Sequence, residues 1–284
     1  MRYRSKTMPV TERMPEDWTN RRQILTDPMS PWPAQAFCRV LELTRAEPGP
    51  DDPLPPFWHW MYFLEARPRS ALGLDGHPAV GGFIPEVAQP RRMWAGGRLR
   101  IHGALPLGRE ATKTSTIANV AEKTGRAGAM TFVTVRHQIS GAAGLAITEE
   151  QDIVYREDPD PNAPKREPKQ APTDETHARE WSCDSTVLFR YSALTFNGHK
   201  IHYDLDHATR IEGYPGLVVH GPLLATLLLE LAQEIGPVTE FSYRLTAPIF
   251  ADEPFTICAK ETDTGLTLWA RGPDGRLAIE GSSG

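Results

Sequence analysis

Residues His220–Ile235 read HGPLLATLLLELAQEI, and this stretch decides the fold. Leucines recur on every side of the predicted helix, and almost no polar face exists before Glu230 and Gln233. A helix that is apolar all round must be buried on nearly every side. The stretch therefore predicts a buried helix over Pro222–Ile235, wrapped by a curved antiparallel sheet.

The start of this helix can also be predicted from the sequence. Pro222 suits the first helical turn and Gly221 the position before it. The backbone N–H groups at a helix start have no intrahelical acceptor and lie at the positive end of the helix dipole. The N–H of Gly221 could therefore hold an oxygen that carries negative charge. On this segment alone, an ordinary helix start remains the alternative.

Strand-like segments follow this helix, and the first half of the chain repeats the order. The segments after the helix are EFSYRLTAPIF, PFTICAKET, LTLWARG and RLAIEG. In the first half, the aromatic helix candidate PPFWHWMYFLEA precedes GRLRIHGALPL, TKTSTIANVAEK, AMTFVTVRHQIS and GLAITEEQDIVYR. Each half thus reads as one helix followed by antiparallel strands. Two further helical stretches are predicted, around Trp18–Leu25 and Pro33–Glu47.

A proline-rich segment separates the two halves. Residues 157–172 read EDPDPNAPKREPKQAP and have no apolar periodicity. Such a segment cannot bury a hydrophobic face and forms an exposed, fairly stiff connector. The predicted domains are therefore 1–156 and 173–284, with 157–172 as the linker.

Composition limits the partners and the compartment. The net charge of -5 argues against a general nucleic-acid binder. No apolar run reaches the roughly 18 residues that a membrane span needs. The three cysteines are too few and too scattered for a disulfide framework, which favours a reducing compartment. We expect a cytoplasmic protein with a small-molecule partner, no nucleic acid and no membrane.

The stretch Phe196–Asp204, FNGHKIHYD, concentrates polar chemistry after the apolar segment VLFRYSALTF, which we read as a strand. The Asn-Gly pair predicts a turn. An imidazole moves protons near neutral pH, whereas an amide holds water without taking its proton. Water activation, a metal site and a solvated loop are all compatible with these residues. No second ligand cluster is recognisable in the sequence, so we predict no metal.

Two quoted stretches, YSALTFNGHKIHYD and EGYPGLVVHGPLLATLL, resemble the second half of the MaoC-like hydratases and dehydratases. The first-half stretch GGFIPEVAQPRRMWAGGRLRIHGALPLG is similar to the N-terminal unit of members with two such units. The resemblance implies an α+β double hotdog, with each unit a long helix wrapped by a curved antiparallel sheet. It also implies that residues 1–156 form the N-terminal hotdog, with extra N-terminal helices, and residues 173–284 the catalytic one.

The resemblance also implies roles for individual residues. His202 falls on the family's catalytic histidine and Gly221 on its oxyanion-binding glycine. Asn197, however, stands where the family has its catalytic aspartate, and an amide is neither general acid nor general base. We therefore expect Asn197 to orient water and His202 alone to take and return the proton. Further candidates for assistance are His199, Asp204 and His220.

The implied substrate is an acyl-CoA, and no separate cofactor is expected because CoA is part of the substrate. Candidates for its phosphates form the densest basic group, Arg91, Arg92, Arg98 and Arg100. Arg190 and His199 are candidates for a free carboxylate on the acyl group. A homodimer is left open by the sequence.

The expected function is that of a hydro-lyase. It adds water reversibly to an α,β-unsaturated acyl-CoA, as implied by the resemblance to members that act on short branched dicarboxylic thioesters such as mesaconyl-C4-CoA. Three alternatives remain: a dehydratase that serves a carrier protein, a hotdog thioesterase and a noncatalytic acyl-thioester binder. A thioesterase usually needs a carboxylate where this chain has Asn197, which disfavours that alternative.

Overall fold

The computed structural model describes residues 18–125, 128–158 and 167–284. Within these ranges it contains three α-helices, α1 Pro31–Val40, α2 Ser185–Thr195 and α3 Gly221–Ile235. The first five strands are β1 Arg22–Asp27, β2 Arg91–Ile101, β3 Ala111–Gly125, β4 Gly128–Gly141 and β5 Gly144–Arg156. The other five are β6 His177–Trp181, β7 Glu240–Leu245, β8 Phe255–Thr262, β9 Gly265–Arg271 and β10 Leu277–Ser283.

These ten strands form one antiparallel sheet in the order β1-β3-β4-β5-β2-β7-β10-β9-β8-β6. Strands β1–β5 make up one half and β6–β10 the other, and the halves join where β2 pairs with β7. At this junction a Cβ atom on Gly96 would lie 2.4 Å from the carbonyl oxygen of Tyr243. Glycine is therefore required for the two strands to approach this closely. Part of the predicted linker, residues 159–166, lies outside the described residues.

Helix α3 lies against strands β7–β10 of the second half. Every residue from Leu223 to Ala232 is buried, and the prediction of a buried helix is confirmed. The helix begins at Gly221, one residue before the predicted Pro222, with His220 as its N-cap residue. The sheet thus covers the helix sides, while the helix start remains at the junction between the two halves.

The stretch VLFRYSALTF is helix α2, so the expected strand was wrong. Asp184 caps the helix by accepting a hydrogen bond from the Val187 N–H at 2.8 Å. Buried side chains recur at Leu188, Tyr191 and Leu194, which is the spacing of a helix rather than the two-residue alternation of a strand. The β-branched and aromatic residues of the stretch concealed this periodicity.

The aromatic stretch PPFWHWMYFLEA forms only a 3₁₀ turn over Trp58–Met61, not the expected long helix. Phe57 and Phe63 flank the turn with φ angles of 64° and 56°, a left-handed conformation that a right-handed helix does not continue through. The expectation of a long helix in each unit is therefore correct for the second half alone. The described α-helix of the first half is α1, with ten residues.

The two helical stretches predicted near the N-terminus have different outcomes. Most of Trp18–Leu25 was assigned wrongly, because Arg22–Asp27 forms strand β1 beside β3. The burial of β1 alternates along the strand, as expected for a strand with one face inward. Helix α1 confirms the start of the second stretch but ends at Val40, before the predicted Glu47.

No helix in the described ranges has the length and apolarity needed to cross a membrane. The cysteines Cys38, Cys183 and Cys258 are buried free thiols. Burial raises the pKa of the Cys183 thiol to about 12, so the protonated form of that side chain is favoured.

Glu230 is a buried carboxylate of α3 that joins this helix to the first half. It accepts hydrogen bonds from Nε1 of Trp58 at 2.8 Å and from Nη1 of Arg45 at 3.1 Å. Burial raises the pKa of Glu230, and the positive charge of Arg45 acts in the opposite direction. The carboxylate therefore satisfies two groups of the first half while its own charge is compensated.

We expect Glu230→Ala to lower the free energy of unfolding by about 2–4 kcal/mol, because it leaves a buried indole N–H without an acceptor and Arg45 without its counter-charge. Glu234→Ala on the same helix is the matched control. Its ion pair with Arg179 is at the surface, so its loss should cost less than about 1 kcal/mol. Urea denaturation measures both values, and equal losses would contradict the proposed anchoring by Glu230.

Candidate active site

A cavity of about 1340 Å³ lies between the two halves, above the range of about 300–1000 Å³ that is usual for small-molecule sites. The first half contributes strands β2 and β5 and the loop around Asp75. The second half contributes the loop Phe196–Tyr203 and the start of α3. The polar stretch FNGHKIHYD and the helix start therefore line one space.

The loop that follows α2 is shaped by its first residues. Phe196 ends the helix in a left-handed conformation, with φ of 50°. Oδ1 of Asn197 then accepts a hydrogen bond from the N–H of His199 at 3.0 Å, as asparagine commonly does in turns. The amide oxygen of Asn197 thus stabilises the loop, and its amide nitrogen is the group left for a ligand.

His202 lies on a 3₁₀ turn over Lys200–His202 and is buried. Its Nδ1 lies 2.7 Å from the carbonyl oxygen of Val218. A carbonyl oxygen only accepts, so Nδ1 carries the proton and Nε2 presents a lone pair. Burial lowers the pKa of His202 to about 4, even though the bond to Val218 opposes this shift. The imidazole is therefore neutral and able to accept a proton at Nε2.

The ring of His202 stacks on that of His220, with centroids 3.6 Å apart. His220 is the N-cap residue of α3, so this contact places His202 beside the helix start. Nε2 of His220 bonds to Oγ of Ser192 at 2.8 Å, and burial keeps the pKa of His220 well below its usual value. His220 itself supports His202 from behind rather than lining the cavity.

Gly221 lines the cavity as the first residue of α3. Its N–H has no acceptor within the helix, because the first four N–H groups of any helix lack one. A Cβ atom at this position would lie 2.4 Å from Cδ1 of Leu245. Glycine therefore lets Leu245 pack tightly against the helix start.

His199 extends the histidine cluster towards the first half. Its ring centroid lies 5.5 Å from that of His202 and 4.3 Å from that of His77. Burial lowers the pKa of His199, and the neighbouring imidazoles His77 and His202 lower it further. Three imidazoles thus run from the second half to the first along the cavity wall.

His77 is paired with a carboxylate. Its Nδ1 lies 2.9 Å from Oδ2 of Asp75, and its backbone N–H donates to Oδ1 at 3.1 Å. Ligand-type atoms of Asp75, His77 and His199 lie within 4.8 Å of one another, so these three could hold a metal ion. Both oxygens of Asp75 already accept hydrogen bonds from His77, which favours an acid–base pair over metal ligation.

A second buried carboxylate lines the first-half side of the cavity. Oε2 of Glu149 lies 2.7 Å from Nε2 of His59, and Oε1 accepts hydrogen bonds from Trp60 and Gln151. Burial alone would raise the pKa of Glu149, but the charge and hydrogen bond of His59 outweigh it and lower the value to about 2. The carboxylate is therefore ionised and fully engaged in holding the aromatic segment against β5.

Two of the four arginines predicted to bind CoA phosphates line the cavity, and two do not. Arg91 and Arg92 line the cavity, and Arg91 is paired with Glu212 at 3.1 Å. Arg98 and Arg100 do not line the cavity, and both are exposed on the other face of β2. There they form ion pairs with Glu150, Asp152 and Glu240. Their predicted contact with CoA phosphates is therefore not supported.

Two other candidates lie outside the cavity. Arg190 is exposed on α2, so a contact with a substrate carboxylate is not supported either. Asp204 accepts a hydrogen bond from the N–H of His207 at 3.0 Å. It therefore caps the following helical turn, which was the alternative reading of this carboxylate.

The sequence reading missed Asp75, His77 and Tyr155. Asp75 and His77 flank Gly76 in the stretch DGHP, and an Asp-Gly pair before proline is a turn signal that could have drawn attention to them. Tyr155 lies directly opposite Arg92 across β2 and β5. Its buried hydroxyl has no hydrogen-bond partner within the described part of the chain, and no sequence pattern indicates this.

Comparisons with known proteins find relatives that match most of the chain. The chain is 46% identical over 267 residues to the mesaconyl-C(4)-CoA hydratase of Chloroflexus aurantiacus, covering 92% of this chain and 94% of the relative. It is 31% identical over 247 residues to the mitochondrial hydroxyacyl-thioester dehydratase type 2 of Schizosaccharomyces pombe, covering 76% and 80% of the two chains.

The fold also matches that of solved structures. A solved structure of a conserved hypothetical protein from Mycobacterium tuberculosis with a double hotdog fold matches with a TM-score of 0.54 at 14% identity, covering 93% of this chain and 95% of that one. The predicted α+β double hotdog is thereby confirmed. Residues 57–251 match the family described as hydroxyacyl-thioester dehydratase type 2. The chain therefore belongs to this family of hydro-lyases.

Proposed function

We propose that the chain adds water reversibly to the C2=C3 double bond of mesaconyl-C4-CoA or a closely similar branched dicarboxylic acyl-CoA. The observation that carries the chemistry is the stacking of His202 on His220 at 3.6 Å. His220 is the N-cap residue of α3, and both His202 and Gly221 line the cavity, which supports a neutral imidazole as proton acceptor and the Gly221 N–H as oxyanion donor on one substrate. The reaction uses no cofactor beyond the CoA of the substrate.

In hydration, Nε2 of His202 accepts a proton from water while the water oxygen bonds to C3. The π electrons move towards the thioester oxygen, and the N–H of Gly221 stabilises the negative charge there. One such donor is worth about 3–4 kcal/mol, and a positioned proton acceptor contributes roughly 100- to 10,000-fold in rate. The amide nitrogen of Asn197 donates to the water oxygen and orients it.

The free carboxylate of the substrate needs a cation close to C3, and Arg92 meets this need. It lines the cavity, and its positive charge lowers the pKa of His77 and His199, so it lies close to the histidine cluster. Within the described ranges it forms no ion pair, unlike its neighbour Arg91. The unpaired hydroxyl of Tyr155 beside it is a second donor. A carboxylate would satisfy both groups.

The proposed function makes three predictions, and the first concerns the reaction itself. The purified protein should hydrate mesaconyl-C4-CoA, followed as loss of the conjugated thioester absorbance. Crotonyl-CoA and the matching carrier-protein thioester should react at least about 10-fold more slowly, because neither brings both the carboxylate and CoA. Faster turnover of the carrier-protein substrate would instead favour the carrier-protein dehydratase. If thioester hydrolysis is the main reaction, the chain is a thioesterase.

The second prediction concerns His202. We expect His202→Ala to lower kcat by about 100- to 10,000-fold, because no other group accepts the water proton at that position. His102→Ala is the matched control, since His102 is exposed and bonds to Thr148 outside the cavity. Circular dichroism checks that both variants fold. A His202→Ala enzyme with normal kcat would rule out this role.

The third prediction concerns substrate choice. Arg92→Met should lower kcat/KM for mesaconyl-C4-CoA by about 10- to 100-fold, the value of a lost charge-assisted hydrogen bond. With 3-methylcrotonyl-CoA, in which a methyl group replaces the free carboxylate, the same variant should lose less than about 3-fold, because there is no carboxylate to bind. Arg100→Met, on the outer face of the same strand, is the control. Equal losses with both substrates would show that Arg92 does not recognise the carboxylate.

A further inference from the structure

The position of Asn197 leaves the proposed hydration one proton-transfer group short. His202 accepts the water proton, and in the absence of a partner it would also have to deliver a proton to C2. Asn197 cannot share this task, since an amide is neither a general acid nor a general base at neutral pH. A second group must therefore come from another part of the cavity wall.

Asp75 and His77 form a carboxylate–imidazole pair in that wall. The two hydrogen bonds from His77 hold the carboxylate in one orientation. Since Nδ1 faces Asp75, Nε2 is left for the cavity, which both residues line. Burial alone would raise the pKa of Asp75, but the hydrogen bond and charge of His77 lower it. Burial lowers the pKa of His77, and the hydrogen bond and charge of Asp75 oppose this shift, so Asp75 reduces the cost of a proton that arrives on His77.

The loop that carries this pair is attached directly to the loop that carries the other histidines. The backbone N–H of Lys200 donates to the carbonyl oxygen of Asp75 at 2.8 Å. Gly76 has φ of 91°, and a Cβ atom there would lie 2.0 Å from the carbonyl oxygen of Gly198. Glycine is therefore required for this contact. It brings His77 of the first half to within 4.3 Å of His199 between ring centroids.

We propose that Asp75 and His77 form the second acid–base unit of this active site and replace the carboxylate that is missing at Asn197. This proposal rests on the proposed hydration of an acyl-CoA. Asp75 orients His77, and Nε2 of His77 exchanges the proton at C2. His199, between the two imidazoles, connects this unit with His202.

The proton balance of one turnover follows from these roles. At the start His77, His199 and His202 are all neutral, because burial lowers the pKa of each. Water gives one proton to His202 and bonds through its oxygen to C3, and the π pair becomes an enolate. The proton then passes from His202 through His199 to Nε2 of His77, where the Asp75 carboxylate stabilises the imidazolium. His77 gives this proton to C2, the thioester carbonyl re-forms, and all three imidazoles are neutral again.

The first test replaces His77. With mesaconyl-C4-CoA, His77→Ala should lower kcat about 100-fold or more, with KM changed less than about 3-fold, and added imidazole should restore part of the rate. His177→Ala is the matched control, because His177 is bonded to Glu261 at 2.9 Å in a similar pair that does not line the cavity. It should leave kcat unchanged.

The second test follows the pH dependence of kcat/KM in Asp75→Asn. The charged groups around His77 are Asp75 on its own loop and Arg92 on β2, and His199 is the titratable group on the facing loop. Burial lowers the pKa of His77, the hydrogen bond and charge of Asp75 oppose this shift, and Arg92 adds to it. The relay needs a neutral His77 before the reaction, and in the variant, which loses Asp75, His77 becomes protonated only at a lower pH. The acid limb of the profile should therefore move to lower pH.

These tests separate the outcomes. If wild type hydrates the substrate and His77→Ala retains its kcat, or if the acid limb of Asp75→Asn stays in place, the acid–base unit is wrong and the hydratase stands. Loss of wild-type activity in a chelator and its return with Zn²⁺ would overturn the unit in favour of metal ligation. A wild type that hydrates no unsaturated acyl-CoA would overturn the hydratase, and the unit with it.

Discussion

The burial of helix α3 is the constraint on which the rest of the structure depends. Its residues from Leu223 to Ala232 are all buried, so most of its surface has to be covered by protein. The strands of the second half provide that cover, and Trp58 and Arg45 of the first half satisfy its one buried carboxylate, Glu230. The helix start cannot be covered in the same way, because its N–H groups need polar partners. The cavity between the halves lies at this point.

Placing chemistry in such a cavity has an electrostatic consequence. Burial lowers the pKa of His77, His199, His202 and His220, so these imidazoles are neutral and act as acceptors. A proton that enters the cluster needs a nearby negative charge, since an isolated buried cation is costly. Asp75 is the carboxylate whose charge opposes this lowering of the pKa at His199 and His77. Its position next to His77 therefore determines which imidazole holds a proton at the lowest cost.

The parts of the fold that could be predicted from sequence are those in which local pattern and tertiary burial agree. The apolar helix and its Gly-Pro start were predictable, as were the strands after it, because apolarity and turn residues indicate the same elements. Helix α2 was not, since its β-branched and aromatic residues favour a strand locally while the Asp184 cap and the surrounding core select a helix. The helix predicted for the aromatic segment around Trp58 was wrong for a related reason. Its large side chains are buried by tertiary contacts that a helix would not allow.

The same difference between local sequence pattern and tertiary contact explains which residues of the site could be predicted. His202, Asn197 and Gly221 lie close together in sequence and follow a family pattern, whereas Asp75 and His77 lie more than a hundred residues earlier on a loop of the other half. Their proximity to His199 depends on the Gly76–Gly198 contact, which no local pattern encodes. Proton transfer requires a group at a position in space, not at a position in a motif. Because the cavity has walls from both halves, an amide at Asn197 need not end acid–base catalysis, provided that the opposite wall supplies an imidazole and its counter-charge.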